Sequence, residues 1–244
     1  NGPYSLSLTT SGTGTGTIQA NPTGPYYYGD LITIWANASI GSTFTGFSGS
    51  LTGTITPQTL TVDGNETVNA AFTQNIYTLI LTTNGTGSGT IQASPGPYYY
   101  GSTATIWANA SIGSTFMGFN GSLNGIITPQ LLIFDGDETI NAQFRLNGPY
   151  TLILTTSGTG AGTIEVSSAG PYYYGAVVTI WANASTGSTF TGFTGSLMGT
   201  TKPQMLTFDG NETVDAAFTR DGPYPLTLTT SGTGTGTIQA NPTG

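Results

Sequence analysis

The sequence predicts an all-β protein, built as a tandem array of three small β-sheet repeats of about 73 residues each plus a partial fourth. Two observations support this prediction. The segment PYYYG is followed by TIWANAS three times, and Trp35, Trp107 and Trp181 are 72 and 74 residues apart. The composition is rich in Gly, Thr, Ser and β-branched or aromatic residues, and no segment shows helical periodicity.

The repeated pattern sets the predicted boundaries. Repeat 1 covers residues 1–74, repeat 2 covers 75–146, and repeat 3 covers 147–220. Residues 221–244 are almost identical to residues 1–24, so we expect them to form the first hairpin of a fourth repeat. We therefore interpret the chain as a window from a longer array, whose targeting and anchoring segments lie outside it.

The elements of repeat 1 follow from period-two alternation and turn residues. Strands are predicted at residues 4–10 and 17–21, joined into a hairpin by the glycine-rich SGTGTG. A long strand is predicted at 31–38, a short one at 43–47, and a loop at 49–56. Residues 58–62 and 67–72 are predicted to form a second hairpin across Asp63-Gly64, a dipeptide typical of tight primed turns.

Stability is expected to depend on neighbouring repeats. A repeat of this size with few large apolar residues has a thin core and is only marginally stable alone. The repeats follow one another almost without linkers, as between Phe72 and Tyr77. We therefore expect homotypic contacts between neighbouring repeats or protomers, as in other linear arrays.

Charge and composition exclude several classes of function. The net charge is −8, with Arg145, Lys202 and Arg220 as the basic residues, so nucleic acid is not an expected partner. No apolar run is long enough to insert into a membrane. The sequence has no His and no Cys, so the usual catalytic triads and His-based metal sites cannot form. We expect neither enzymatic activity nor a cofactor.

The running pattern YTLxLTTxGxGxGTI…PYYYG…TIxA…GSTFxGFxGSLxG…P…DGxETxxAxF resembles the divergent internalin-type B-repeat family of bacterial and archaeal surface proteins. The resemblance covers every repeat. It implies a small β-rich extracellular module, used in strings as stalk, spacer or adhesive surface, without catalytic residues. Where the family commonly has Trp after the glycine, this chain has Phe47, Phe119 and Phe193.

The resemblance also orients the predicted strands. The family's Tyr-x-x-Gly matches Tyr26 and Gly29, which implies that Tyr26 is a core residue. Its apolar alternation matches Ile32, Ile34 and Ala36, so by period two the opposite face carries the set Thr33, Trp35 and Asn37.

The sharpest functional candidate is the sequon Asn37-Ala38-Ser39, the acceptor pattern for N-glycosylation, two residues after Trp35. Residues i and i+2 share a strand face, so the indole would lie beside the first sugar. The alternative is that Trp packs on a neighbouring repeat and the sequon is accidental. The same pairs recur as Trp107 with Asn109 and Trp181 with Asn183.

Four further sequons are predicted in turns or loops. Asn65 and Asn211 fall in the Asp-Gly-Asn-Glu-Thr turn, where repeat 2 has Asp137 instead. Asn84 is expected at the glycine-rich hairpin and Asn120 in a loop around GFNGSL.

The tyrosine triplets and acidic turns have alternative explanations. The second and third tyrosines of each triplet could form a carbohydrate-binding platform, but we favour packing on a neighbouring repeat or protomer; they are Tyr27, Tyr28, Tyr99, Tyr100, Tyr173 and Tyr174. The acidic turns could offer oxygens to calcium, but two or three carboxylates on a tight turn favour a solvated turn and no metal; they contain Asp63, Glu66, Asp135, Asp137, Glu138, Asp209 and Glu212.

These observations predict a structural repeat protein, extracellular and at the cell surface, N-glycosylated and forming a stalk or filament. In a filament, residues 221–244 either continue into the next repeat or complete a repeat of another chain by strand addition. The alternative is a carbohydrate- or host-binding adhesin module that uses Tyr27, Tyr28 and Trp35 as its contact surface.

Overall fold

A computed structural model describes residues 2–241 of the chain. Three sets of strands follow one another in the same order, and residues 2–241 contain no helix. None of these residues therefore belongs to a helix long and apolar enough to cross a bilayer. Repeat 1 comprises β1 (Leu6–Gly12), β2 (Gly16–Asn21), β3 (Leu31–Ala38), β4 (Ser42–Gly49), β5 (Gln58–Thr61) and β6 (Glu66–Gln74).

Repeats 2 and 3 have the same order, with one addition in repeat 2. There, a two-stranded ribbon joins β7 to β10, whereas repeats 1 and 3 have single bridges at Tyr4–Tyr26 and Tyr150–Tyr172. Repeat 2 comprises β7 (Ile76–Tyr77), β8 (Leu79–Gly85), β9 (Gly89–Ala93), β10 (Tyr98–Tyr99), β11 (Thr103–Ala110), β12 (Ser114–Gly121), β13 (Gln130–Ile133) and β14 (Glu138–Leu146). Repeat 3 comprises β15 (Leu152–Gly158), β16 (Gly162–Val166), β17 (Val177–Ala184), β18 (Ser188–Gly195), β19 (Gln204–Thr207) and β20 (Glu212–Arg220).

Each repeat consists of two three-stranded sheets. In repeat 1, β6 is the central strand of one sheet, parallel to β1 and antiparallel to β4. The central strand of the other sheet is β3, antiparallel to both β2 and β5. The described chain divides into a compact unit that ends at Leu146 and holds repeats 1 and 2, and another that begins at Asn147 and holds repeat 3.

The core of each repeat lies between its two sheets, because both central strands alternate apolar and polar side chains. On β3, Ile32 and Ile34 are fully buried and Ala36 nearly so, which confirms the predicted core face. Tyr26 packs against this core, as the resemblance implied. The second sheet contributes Val68, Ala70 and Phe72, and the corresponding residues of the other repeats form two further separate cores. At roughly 25 cal/mol per Å2 of buried apolar surface, these cores supply the main stabilisation.

The first predicted hairpin is wrong. Strand β1 pairs with β6, not with β2, and β2 pairs with β3. The glycine-rich segment therefore carries the chain from one sheet to the other. Gly12 has a left-handed φ of +100°, but Gly14 and Gly16 do not. They are glycines because a Cβ would lie 2.5 Å from the Thr73 backbone and 2.4 Å from the ring of Phe72, respectively.

The second predicted hairpin is also wrong. Strand β5 pairs with β3, and β6 with β1 and β4, so the chain changes sheets again at Asp63-Gly64. Each end of this crossing is bound to its own sheet by backbone hydrogen bonds. The Val62 N–H donates to the Asp30 carbonyl, and the Glu66 N–H donates to the Ser5 carbonyl, both at 2.8 Å.

The hairpin predicted for residues 221–244 is not formed in the described part, residues 221–241, which contain no strand. The pairing in the three repeats explains this. A segment of β1 and β2 type finds its partners in strands of β6 and β3 type, which come later in a repeat. Without them its apolar side chains stay exposed; they are Tyr224, Leu226, Leu228 and Ile238. Residues 242–244 lie outside the described residues.

Candidate functional site

The tryptophan and asparagine of each TIWANAS segment lie on the outer face of the sheet, away from the core. In repeat 1 the cross-strand partner of Trp35 is Gln19, and that of Asn37 is Thr17. We call this set of four side chains, with its equivalents in repeats 2 and 3, the Trp–Asn face. The equivalents are Trp107, Asn109, Gln92 and Thr90 in repeat 2, and Trp181, Asn183, Glu165 and Thr163 in repeat 3.

The indole on this face is held in place while one side remains open to solvent. The Trp35 Nε1–H donates to Gln19 Oε1 at 2.9 Å, which links β3 to β2. Trp107 and Trp181 are each 36% exposed, and Asn37, Asn109 and Asn183 are all exposed. Side chains two residues apart on a strand lie about 7 Å from each other along the same face. A sugar on the asparagine would therefore be within reach of the indole.

The sequons at Asn65 and Asn211 lie at exposed positions, as predicted, but their side chains also have a structural task. Asn65 Oδ1 accepts a hydrogen bond from the Ser5 N–H, and Asn211 Oδ1 accepts one from the Thr151 N–H, both at 3.0 Å. In repeat 2, Asp137 Oδ1 accepts the equivalent bond from the Thr78 N–H at 2.8 Å. This bond lowers the pKa of Asp137. Either Asn or Asp can therefore anchor the start of the first strand.

Asn84 and Asn120 do not lie in loops, and that prediction is wrong. Asn84 lies on β8 and Asn120 on β12, the two edge strands of the sheet centred on β14. The strand β12 extends to Gly121 because Asn120 pairs with Asn141 after a bulge between Phe116 and Gly118. Both asparagines are exposed.

The PYYYG segment forms a turn whose glycine is required by the backbone. The Asp30 N–H donates to the Tyr27 carbonyl at 3.1 Å, and Gly29 has a φ of +88°. This combination is typical of a type II turn, with Gly at the third position and the third tyrosine at the corner. In repeats 2 and 3, the equivalent bonds join Ser102 to Tyr99 and Ala176 to Tyr173.

The three tyrosines of a triplet have different surroundings. The first packs inward: Tyr98 stacks on Phe134 with ring centroids 4.3 Å apart, and Tyr172 on Phe208 at 4.2 Å. The outer ones are more exposed in repeat 1, where Tyr27 is 49% and Tyr28 75% exposed. Tyr100 is only 44% exposed and lies against Gly41 of repeat 1. Tyr99 and Tyr174 are half-buried, and Tyr173 is exposed.

The glutamates of the acidic turns are buried, which the expectation of a solvated turn missed. Glu66, Glu138 and Glu212 are 6–8% exposed. Glu66 Oε1 accepts the Asp63 N–H at 3.0 Å. A hydrogen bond from the Ser50 side chain, together with those from the turn, lowers the pKa of Glu66 although burial opposes the shift. The apolar neighbours of each glutamate in DGxETxxAxF were the available signal for burial.

The described surface otherwise offers little chemistry. Within residues 2–241 no group of three or more acidic, His or Cys side chains is arranged to hold a metal ion. Repeat 3 has an open groove of about 410 Å3 between its first strand and its PYYYG segment. Its walls are formed by apolar and hydroxyl-bearing side chains, among them Tyr150, Leu152, Leu154, Val166 and Tyr172.

Fold and site together define an all-β tandem-repeat protein with separate small cores and a repeated aromatic–asparagine surface. The divergent InlB B-repeat domain matches three segments of the chain, residues 6–76, 79–148 and 152–222. These segments make up most of the sequence, and the chain belongs to this family. The predicted family and fold class are therefore confirmed. No curated protein shows significant similarity to the chain.

Proposed function

We propose that this chain is part of an extracellular surface protein whose repeats form a stalk or filament, and that the Trp–Asn face is its N-glycosylation site. The observation that carries the proposal is the threefold recurrence of an exposed sequon asparagine beside a partly exposed indole on the same strand face. An apolar ring left open on a soluble surface is unfavourable, and a covalent sugar would cover it.

The architecture supports a mechanical role. Each repeat closes its own core, and the same topology is used three times, as in arrays whose stability is the sum of repeats and their junctions. Such an array provides length in proportion to repeat number. No described cavity combines a nucleophile, a base and an orienting group, which are the parts that a catalytic site needs.

Glycosylation is tested by glycopeptide mass spectrometry on material purified from the native cell surface. We expect a glycan mass on peptides that contain Asn37, Asn109 and Asn183. The peptide around Asp137 is the internal control, because it has the turn of Asn65 and Asn211 without an acceptor asparagine. Bare asparagines at all three Trp–Asn faces would remove this part of the proposal.

The stalk or filament is tested separately by immunogold electron microscopy of intact cells. Antibodies against the repeats should label thin projections or fibres outside the cell envelope. Label confined to the cell interior would contradict an extracellular role, and label on a smooth surface without projections would contradict the stalk and the filament.

A second function, an adhesin module, is favoured by the exposure of Tyr27 and Tyr28, whose rings could stack on sugars. Glycan arrays probed with the 244-residue protein test it. Binding that is lost in a Tyr27→Ala, Tyr28→Ala double variant would favour the adhesin, and absence of binding would favour the structural role.

A further inference from the structure

We propose that Tyr100 and Gly41 form a joint that couples repeats 1 and 2, so that their junction opens only together with the packing between them. The joint specifies the partner of the third tyrosine: the turn between the third and fourth strands of the preceding repeat. Its biological purpose rests on the proposed stalk, because a stalk transmits force only if consecutive repeats are coupled.

The path of the chain brings Tyr100 to this place. Strand β7 follows directly after repeat 1 and pairs with β10, so that Ile76 faces Tyr99. Tyr100 comes next, at the corner of the turn closed by Ser102 and Tyr99. The ribbon β7–β10 therefore holds the corner of the turn beside the end of repeat 1.

The receiving surface is the turn around Gly41, which is bound to the junction by two hydrogen bonds. The Asn75 N–H donates to the Gly41 carbonyl at 2.8 Å, and the Thr43 hydroxyl donates to Asn75 Oδ1 at 2.6 Å. Gly41 has a φ of +75°. A Cβ on it would lie 2.2 Å from Tyr100 Cβ and 2.8 Å from its Cγ. The glycine is therefore required by the contact as well as by the backbone.

Repeat 3 contains the same junction without a tyrosine against it, which provides a comparison inside one molecule. The Asp221 N–H donates to the Gly187 carbonyl at 2.9 Å, and the Thr189 hydroxyl donates to Asp221 Oδ1 at 2.6 Å. Gly187 has a φ of +76°. Among the described residues, nothing lies within 4 Å of a Cβ built on Gly187. The tyrosine is the difference between the two junctions.

The covering ring has a measurable consequence. The hydrogen bond between Asn75 and Gly41 lies under Tyr100, so water reaches it only when the ring leaves. Local opening of backbone hydrogen bonds is reported by amide hydrogen exchange. We expect the Asn75 amide to have a protection factor about tenfold higher than that of the Asp221 amide, measured by NMR on the 244-residue protein.

Substitutions separate the joint from general stability. Tyr100→Ala should lower protection at Asn75 to the level of Asp221, whereas Tyr28→Ala, at the equivalent but 75% exposed position, should leave Asn75 unchanged. Gly41→Ala should lower protection at Asn75 by more than Gly187→Ala lowers it at Asp221. Both alanines meet the same backbone strain, and only the first meets a ring.

Equal protection of the two amides in the unchanged protein, or an unchanged Asn75 in Tyr100→Ala, would overturn the joint. Amides in the core of repeat 1, such as that of Val68, report whether a variant has lost its fold rather than its joint. The measurement uses recombinant protein without glycans. Failure of the joint is therefore distinguishable from failure of the surface role, which is judged on native cells.

Discussion

Gly16→Ala tests whether the glycine-rich segment of repeat 1 is required for close packing rather than for flexibility. The new methyl group would lie 2.4 Å from Cε1 and Cζ of Phe72 and 2.7 Å from the Asn37 carbonyl oxygen. Phe72 is fully buried and contacts Phe44 at a centroid distance of 5.8 Å, so its ring has no free space to move into. Overpacking of this kind costs about 2–3 kcal/mol.

The measurement is hydrogen exchange with mass spectrometry, which gives an opening free energy for peptides of each repeat in one sample. Peptides from β1 and β6 should lose about 2–3 kcal/mol of protection in Gly16→Ala, while peptides from repeat 3 report whether the rest of the protein is unchanged.

Gly64→Ala is the matched control for this experiment. A Cβ on Gly64 meets nothing within 4 Å among the described residues, and its φ is not left-handed. We expect its effect to stay within about 0.5 kcal/mol. If Gly16→Ala and Gly64→Ala have equal effects, the packing explanation of the GTGTG pattern is wrong.

Three further predictions concern the turns. Asn65→Ala leaves the Ser5 N–H without its acceptor and should cost about 1 kcal/mol in urea unfolding, whereas Asn65→Asp should be nearly neutral because Asp137 makes the same bond in repeat 2. Because the folded-state pKa of Glu66 lies below its usual value of 4.5, its stabilisation is complete at neutral pH and is lost as the pH falls through the folded-state pKa. Glu66→Gln should therefore flatten the acid dependence of repeat 1 unfolding, and an unchanged pH profile would contradict this role. Tyr98→Phe removes the hydrogen bond from its hydroxyl to the Ser94 carbonyl, 2.5 Å long, and should cost about 1 kcal/mol in urea unfolding; a midpoint equal to that of the unchanged protein would show that this bond contributes nothing.

The candidate site was predictable where it depends on a single strand. Period-two alternation places Ile34 and Trp35 on opposite faces, and the structure has Ile34 in the core and Trp35 on the outer face, bonded to Gln19. The same local reasoning was wrong for Asn120, because the bulge after Phe116 extends β12 beyond the residues that alternate. A bulge depends on the partner strand, and one strand's pattern does not show it.

The burial of Glu66 and the docking of Tyr100 could not be read from the sequence for a related reason. A glutamate in a DGxET turn has the local composition of an exposed turn. Its burial follows from the crossing of the chain between two sheets, which brings Ser50 and the Asp63 N–H to its carboxylate. Tyr100 meets Gly41 only because β7 and β10 pair across about twenty residues.

By itself the sequence determined the number of repeats, the all-β class, the inward face of each strand and the position of each sequon, because these depend on periodicity and on residues close in the chain. The tertiary structure alone decided which strands pair. Leu8 lies beside Val68 in parallel, and Ile18 beside Ala36, although Leu8 and Ile18 are the closer pair in sequence. Burial is written into each strand by alternation. Pairing instead depends on backbone hydrogen bonds, which are the same for every residue, so the partner is chosen by how two sheets close around a shared core.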